Sequence, residues 1–315
     1  MNEKMCADLI RNGRYREAID LGLQLLNTSP AGYFLHACLA RAYFSTGDFK
    51  NSLLHAEKMM ELAKTDEEFI GAYNRLGLAS WLLGKRDHAL TCFQRQLNLA
   101  RKLRDRTGQG VALNNMALIY QENGNLKKAL RYYKTALTLT TQLDSRATIL
   151  SNIADTYADM KRYREAVRCY GKALRFTKRV GEYHHEVRTI LNLGYLYVMM
   201  NRLRPAGKLL QMGLQRIREI GDTYWESTAL LYLTDYYVAS GDYRKALEVC
   251  CNAYSVLKRH GYDTSFAITR LGYILKQNPP LEKYFTRLTA DNPEVAEEIR
   301  NLGIDPNLSA HSRDQ

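Results

Sequence analysis

A large apolar residue, a small residue and a tyrosine recur together along this chain, the first and last four positions apart. The set reads Leu39-Ala40-x-x-Tyr43, Met116-Ala117-x-x-Tyr120, Ile153-Ala154-x-x-Tyr157, Leu193-Gly194-x-x-Tyr197 and Leu233-Thr234-x-x-Tyr237, with Leu76-Gly77 as a shorter copy. Four positions make about one helical turn, so the large residue and the tyrosine share a face. The small residue lets a neighbouring helix approach closely. A second apolar series follows in each unit: Ala129, Tyr133 and Ala136 return as Ala166, Tyr170 and Ala173, then as Ala246, Cys250 and Ala253. That i, i+4, i+7 spacing predicts a second amphipathic helix.

A short polar phrase separates the two helices. It is clearest in Gly13-Arg14-Tyr15-Arg16-Glu17-Ala18, Gly47-Asp48-Phe49-Lys50-Asn51-Ser52 and Gly241-Asp242-Tyr243-Arg244-Lys245-Ala246. Gly or Asn at its head suits the left-handed conformation that ends a helix. The small residues closing the seven copies (18, 52, 89, 129, 166, 206 and 246) are spaced 34, 37, 40, 37, 40 and 40 apart. Such a period predicts stacked helical hairpins, none able to bury its apolar face alone.

Helix, turn and helix with small-large-small packing resembles the tetratricopeptide repeat family, over roughly residues 1–276. The 40-residue units are similar to those of kinesin light chain, spindle-orientation adaptors and bacterial peptide-sensing regulators. The resemblance implies an all-α fold, a right-handed α-solenoid of about seven repeats and fourteen helices, with a C-terminal helical cap. Departures are Ser52 in place of Ala, Lys161 and Asn201 in place of the turn Gly, and Gln96 where a small residue is expected.

Asn278-Pro279-Pro280 must stop a helix. The expected organisation is a repeat solenoid over 1–276, capping helices over 277–303, the second starting at Asp291-Asn292-Pro293, and a frayed tail over 304–315. Six cysteines without paired spacing suggest a reducing compartment. No segment approaches eighteen uninterrupted apolar residues and the first residues have no apolar signal core, so a cytoplasmic location is expected.

Charge is uneven. Of the net +12, residues 161–218 supply +11, with fourteen Lys or Arg against three acids. Arg164, Arg168, Lys172, Arg175, Lys178 and Arg179 fall at helical spacing on one second helix. They form either a face for an anionic partner or a solubilising surface. No aromatic-and-basic motif of a nucleic-acid module accompanies them, which argues against nucleic acid.

Catalytic chemistry finds little support. His184 and His185 are adjacent, so they point about 100° apart on a helix and do not make an i, i+4 metal pair. Gly108-Gln109-Gly110 lacks the Lys-Ser/Thr of a phosphate loop. The reading is a non-enzymatic protein with no metal and no cofactor.

In the family the resemblance points to, the first helix of each repeat lines a concave groove. Asn115, Asn152 and Asn192 stand two residues before the small residue of that helix in three consecutive units. Arg75 takes the same slot one unit earlier, beside Asn74. An amide is both donor and acceptor, so a ladder of them suits the main chain of an extended peptide, or else joins neighbouring helices. Kinesin-light-chain-like repeats use such asparagines on peptide main chain. One residue after the small position stand Arg41, Leu78, Leu118, Asp155, Tyr195 and Asp235, with Asp159 a turn beyond Asp155 and Arg188 on the same side. The basic residues with which chaperone cochaperones of the family clamp a carboxylate are missing position for position. The expected partner is an extended protein segment held in the groove by an adaptor. The alternatives are a stand-alone regulator that responds to a signalling peptide, without a DNA-binding helix-turn-helix before its first repeat, and a basic-face binder of nucleic acid or an anionic surface.

Overall fold

The computed structural model describes residues 2–11, 13–28, 32–181 and 183–290, together with 295 and 298. Among these residues there is no strand, and the fold is all-α. The chain divides into two compact units, 1–156 and 157–315. The first holds α1 (Asn2–Arg11), α2 (Tyr15–Thr28), α3 (Tyr33–Ser45), α4 (Phe49–Leu62), α5 (Asp66–Leu82), α6 (Arg86–Lys102), α7 (Arg106–Glu122), α8 (Leu126–Leu139) and most of α9 (Leu143–Asp159). The second holds the end of α9, then α10 (Tyr163–Val180), α11 (Tyr183–Met199), α12 (Leu203–Ile220), α13 (Thr223–Ala239), α14 (Tyr243–Arg259), α15 (Ser265–Gln277) and α16 (Glu282–Leu288). Within each unit, helical hairpins stack as in an α-solenoid. The expectation of about fourteen helices before the cap falls short by α15, a first helix with no long second helix behind it.

One backbone conformation organises every hairpin turn. The head of the phrase is left-handed at Gly13, Gly47, Gly84, Gly124 and Gly241, and equally at Lys161 (φ 57°) and Asn201 (φ 53°). The amide after it donates back to the carbonyl of the residue that opens the turn. For Asp48, Asn125, Arg162, Arg202 and Asp242 that acceptor is the tyrosine of the repeated set: Tyr43, Tyr120, Tyr157, Tyr197 and Tyr237, at 2.8–2.9 Å. This is the Schellman closure, which satisfies a carbonyl the helix end would leave orphaned. Asp48, Asn125 and Asp242 then cap the next helix with their side chains.

The small residues are where helices meet. Ala18, Ser52, Ala89, Ala129, Ala166, Ala206 and Ala246 are fully buried. At Gly77 a Cβ would come within 2.5 Å of the Phe93 ring, so α5 and α6 touch through the missing side chain. Ser52 fits a slot for alanine because its hydroxyl donates to the Ala40 carbonyl at 2.8 Å. Gln96 fits less well: it is buried, and its Oε1 has no hydrogen-bond partner among the described residues.

Beyond Gln277 the chain makes a 3-10 turn, Pro279–Leu281, and then α16. Phe285 of α16 and Val295 join the core that Leu247, Tyr254 and Leu271 build. The expected second capping helix, apart from residues 295 and 298, and the expected tail lie outside the described residues. No helix among the described residues is long and apolar enough to cross a membrane.

Candidate functional site

In the first unit the first helices α3, α5, α7 and α9 run side by side, and their shared face carries a connected strip of amides. Asn115 Nδ2 donates to Asn74 Oδ1 at 3.0 Å, joining α7 to α5. Asn152 Nδ2 donates to Asn114 Oδ1 at 3.0 Å, joining α9 to α7, and Asn114 Nδ2 lies 3.3 Å from Asn115 Oδ1. Four asparagines from three successive repeats thus form one chain of hydrogen bonds. Each primary amide offers two N–H donors and an acceptor oxygen, so the strip retains capacity beyond these bonds. Asn74, Asn114 and Asn152 are half-buried, while Asn115 is 7% exposed. Asn114 was not among the residues expected here. Its position beside Asn115 was the signal, because neighbouring amides 100° apart can reach both adjacent helices. Leu118 and Asp155 stand half-buried along the same helices, and Asp159 ends α9.

The equivalent face of the second unit is differently built. Asn192 accepts from the Tyr232 hydroxyl at 3.4 Å, and Tyr232 stacks on Tyr195 with ring centroids 4.2 Å apart. Arg188 lies over the Trp225 ring at 4.5 Å. Asp235, expected as an acidic point for a basic ligand residue, already has its cation: Arg270 of α15 grips it with two bonds of 2.8 Å. Burial works against the Arg270 charge, but the Asp235 carboxylate more than compensates and raises the guanidinium above its usual range. The repeat pattern could not reveal Arg270, since α15 lacks the repeated phrase.

His184 has a structural role. Its Nε2 lies 2.6 Å from Asp222 Oδ2, while Asp222 Oδ1 caps α13 through the Trp225 amide at 2.9 Å. Burial would raise the Asp222 carboxyl, but the His184 and Trp225 hydrogen bonds and the nearby charges of His184 and Arg188 hold it below its ordinary value. Among the described residues no group of three or more His, Cys, Asp or Glu could hold a metal ion. Burial raises the thiols of Cys92 to about 11 and Cys251 to about 12, and that of Cys250 further.

On α10, Arg164, Arg168, Lys172, Arg175, Lys178 and Arg179 are all exposed, while Ala166, Tyr170, Ala173 and Thr177 fill the buried side. None of the six is in a salt bridge among the described residues; Glu165 pairs with Arg162 instead.

The family model for the tetratricopeptide repeat matches residues 68–142 and 145–218. Among curated protein sequences none matches the chain. Similar solved structures include the apo form of the quorum sensor NprR from B. thuringiensis, with 18% identity, a TM-score of 0.70, and 94% of this chain and 86% of that one covered. A Rap protein complexed with Competence and Sporulation Factor gives 14% identity, a TM-score of 0.67 and coverage of 96% and 88%. The Rap conjugation gene regulator of plasmid pLS20, in complex with the Phr* peptide, gives 16% identity, a TM-score of 0.66 and coverage of 81% and 72%. The matched residues 68–142 and 145–218 are tetratricopeptide repeats, and the similar solved structures share the fold of the chain.

Proposed function

We propose that this tetratricopeptide repeat chain is a non-catalytic cytoplasmic binding protein, a scaffold or peptide-responsive regulator that holds an extended protein segment against its first helices. The observation that carries this reading is the amide strip of Asn74, Asn115, Asn114 and Asn152. An extended peptide presents an N–H and a carbonyl at every residue, and a line of amides linked across repeats offers complementary groups at recurring intervals. Side-chain selection falls to Leu118 and Asp155 in the first unit. The second unit, taken by itself, offers Asn192, Arg188 and Tyr195 on its first helices, with Asp235 engaged by Arg270. Two of the similar folds hold Competence and Sporulation Factor and the Phr* peptide, which favours a peptide as the partner here.

Selection of a displayed library of random peptides on the immobilised protein tests the reading. Enriched peptides should bind the Asn74→Ala, Asn115→Ala, Asn152→Ala protein more weakly, by about 1 kcal/mol per amide in calorimetry. Equal affinity for parent and variant would leave the strip a purely structural seam.

A second reading rests on the six exposed, unbridged cations of α10, which suit an anionic polymer or surface.

A further inference from the structure

We propose that the exposed face of α10, with the start of α12, docks the phosphate backbone of duplex DNA without regard to base sequence. This inference rests on the second reading above and names the anionic partner.

The cations are laid out by helix register. Arg164, Arg168, Gly171 and Arg175 follow one another by four, three and four residues, so they fall on one line along α10. Lys172 flanks that line, and the row from Arg164 to Arg179 runs about 22 Å. The next second helix repeats its beginning: Arg204 and Lys208 are the second and sixth residues of α12, as Arg164 and Arg168 are of α10. Both helices pack against α11. All these cations are exposed, and none is in a salt bridge among the described residues.

Solubility alone does not account for this layout. Arg164 and Arg204 stand in the first turns of their helices, where the positive end of the helix dipole disfavours a cation, and neither start has a side-chain cap. Acids at those positions would keep the chain soluble and stabilise the helices as well. Gly171 points the same way. A glycine inside a helix weakens it, and here no atom lies within 4 Å of the place its Cβ would take. The fold makes no use of that gap, which opens in the row between Arg168 and Arg175. An anionic chain can settle there against the helix, with guanidinium groups on both sides of it.

The chemistry of the face selects the partner. The row carries no apolar side chain, which a protein interface needs at its core and a lipid layer needs for insertion. It has no aromatic ring on which single-stranded bases would stack, and no acceptor for the 2′-hydroxyls of RNA. Duplex DNA requires none of these, because neutralising its phosphates releases counterions and is favourable by itself. Arginine forks pair with phosphate oxygens, and one DNA strand presents about six phosphates over the length of the row. The sequence has no base-reading module, and a contact with phosphates alone needs none.

Fluorescence anisotropy of a short labelled DNA duplex, titrated with the full chain, tests the proposal. Affinity should fall about a thousandfold between roughly 50 and 200 mM salt, and two unrelated sequences should bind within about twofold of each other. Arg168→Gln with Arg175→Gln should weaken binding about tenfold or more at low salt and flatten the salt slope by about two. Gly171→Gln should raise the melting temperature by restoring helix propensity, yet weaken the duplex roughly fivefold or more. A glycine without a ligand-facing role would change the first and leave the second alone. Unchanged affinity in either variant overturns the inference. So does tighter binding to the single strand, an RNA duplex, polyglutamate or phosphatidylserine vesicles than to the DNA duplex. Immobilised heparin separates this proposal from the reading beneath it. Retention on heparin without binding of the duplex rejects duplex DNA and leaves an anion-binding face, whereas loss of both rejects both.

Discussion

His36 and His55 face each other in the buried contact between α3 and α4, with their Nδ1 atoms 2.9 Å apart. At that distance one nitrogen donates and the other accepts, so the bond requires a lone pair on one ring. Tyr43 stacks on the His55 ring with centroids 5.5 Å apart. Burial, and then the charge of His36, lower His55 to about 4; His36 is lowered by burial and by Lys58, with Glu61 opposing. In the unfolded chain both rings take up protons near pH 6.5. The unfolded state therefore binds more protons between pH 6.5 and about 4, and stability is full above that window and falls as pH descends through it. Urea midpoints at pH 7 and pH 4.5 should differ more for the parent than for His36→Leu, His55→Leu. An equal acid loss in both proteins would place the effect on carboxylates.

Arg270→Met should destabilise the protein by about 3 kcal/mol or more, because it leaves the Asp235 carboxylate, 13% exposed, without its partner. Adding Asp235→Leu should recover most of the loss. Chemical denaturation of the single and double variants checks this, and a double variant as weak as the single one would contradict it.

The left-handed turn predicts opposite outcomes at two equivalent positions. Lys161 holds φ 57° where Gly241 holds φ 79°. A side chain in that region is unfavourable by roughly 1–2 kcal/mol, partly offset by the greater freedom of glycine when unfolded. Lys161→Gly should raise stability by about 0.5 kcal/mol and Gly241→Ala should lower it by about 1 kcal/mol. Thermal denaturation of the pair decides it; shifts of the same sign would mean that the turns are not equivalent.

Gln96→Met should raise the melting temperature. The buried Oε1 has no hydrogen-bond partner among the described residues, and removing such an orphaned acceptor at similar volume gains about 1 kcal/mol. A lower melting temperature would show that the amide is satisfied by water in solution.

For α10, retention on immobilised heparin should fall steeply between low and moderate salt. Arg168→Glu, Lys172→Glu, Arg175→Glu should abolish retention while the circular dichroism spectrum stays helical. Parent protein that passes through the column at low salt would identify the face as a solubilising surface.

The repeat architecture was legible in the sequence because its causes are local. Helix periodicity, a small residue at each contact and a left-handed residue at each turn all act within about forty residues, and every copy reinforces the others. The turn could be located even where Lys161 and Asn201 replace glycine, since Ala166 and Ala206 follow at the same distance. The slot positions Asn115, Asn152 and Arg75 could be aligned for the same reason.

Pairing across repeats was not legible. Asn115 meets Asn74, His184 meets Asp222 and Asp235 meets Arg270, and these partners lie 41, 38 and 35 residues apart. A period shows which backbone positions correspond, but a side chain's partner depends on the rotamer, the helix register and the residue that faces it. None of these has to repeat. By sequence Asp235 was an acidic point open to a ligand, and the fold set Arg270 against it. By sequence Arg75 merely interrupted a ladder of asparagines, and packing left it half-buried near the charge of Arg41, with no ion pair among the described residues. The sequence determined the scaffold through repetition, whereas the tertiary structure decided which polar groups on it were already satisfied.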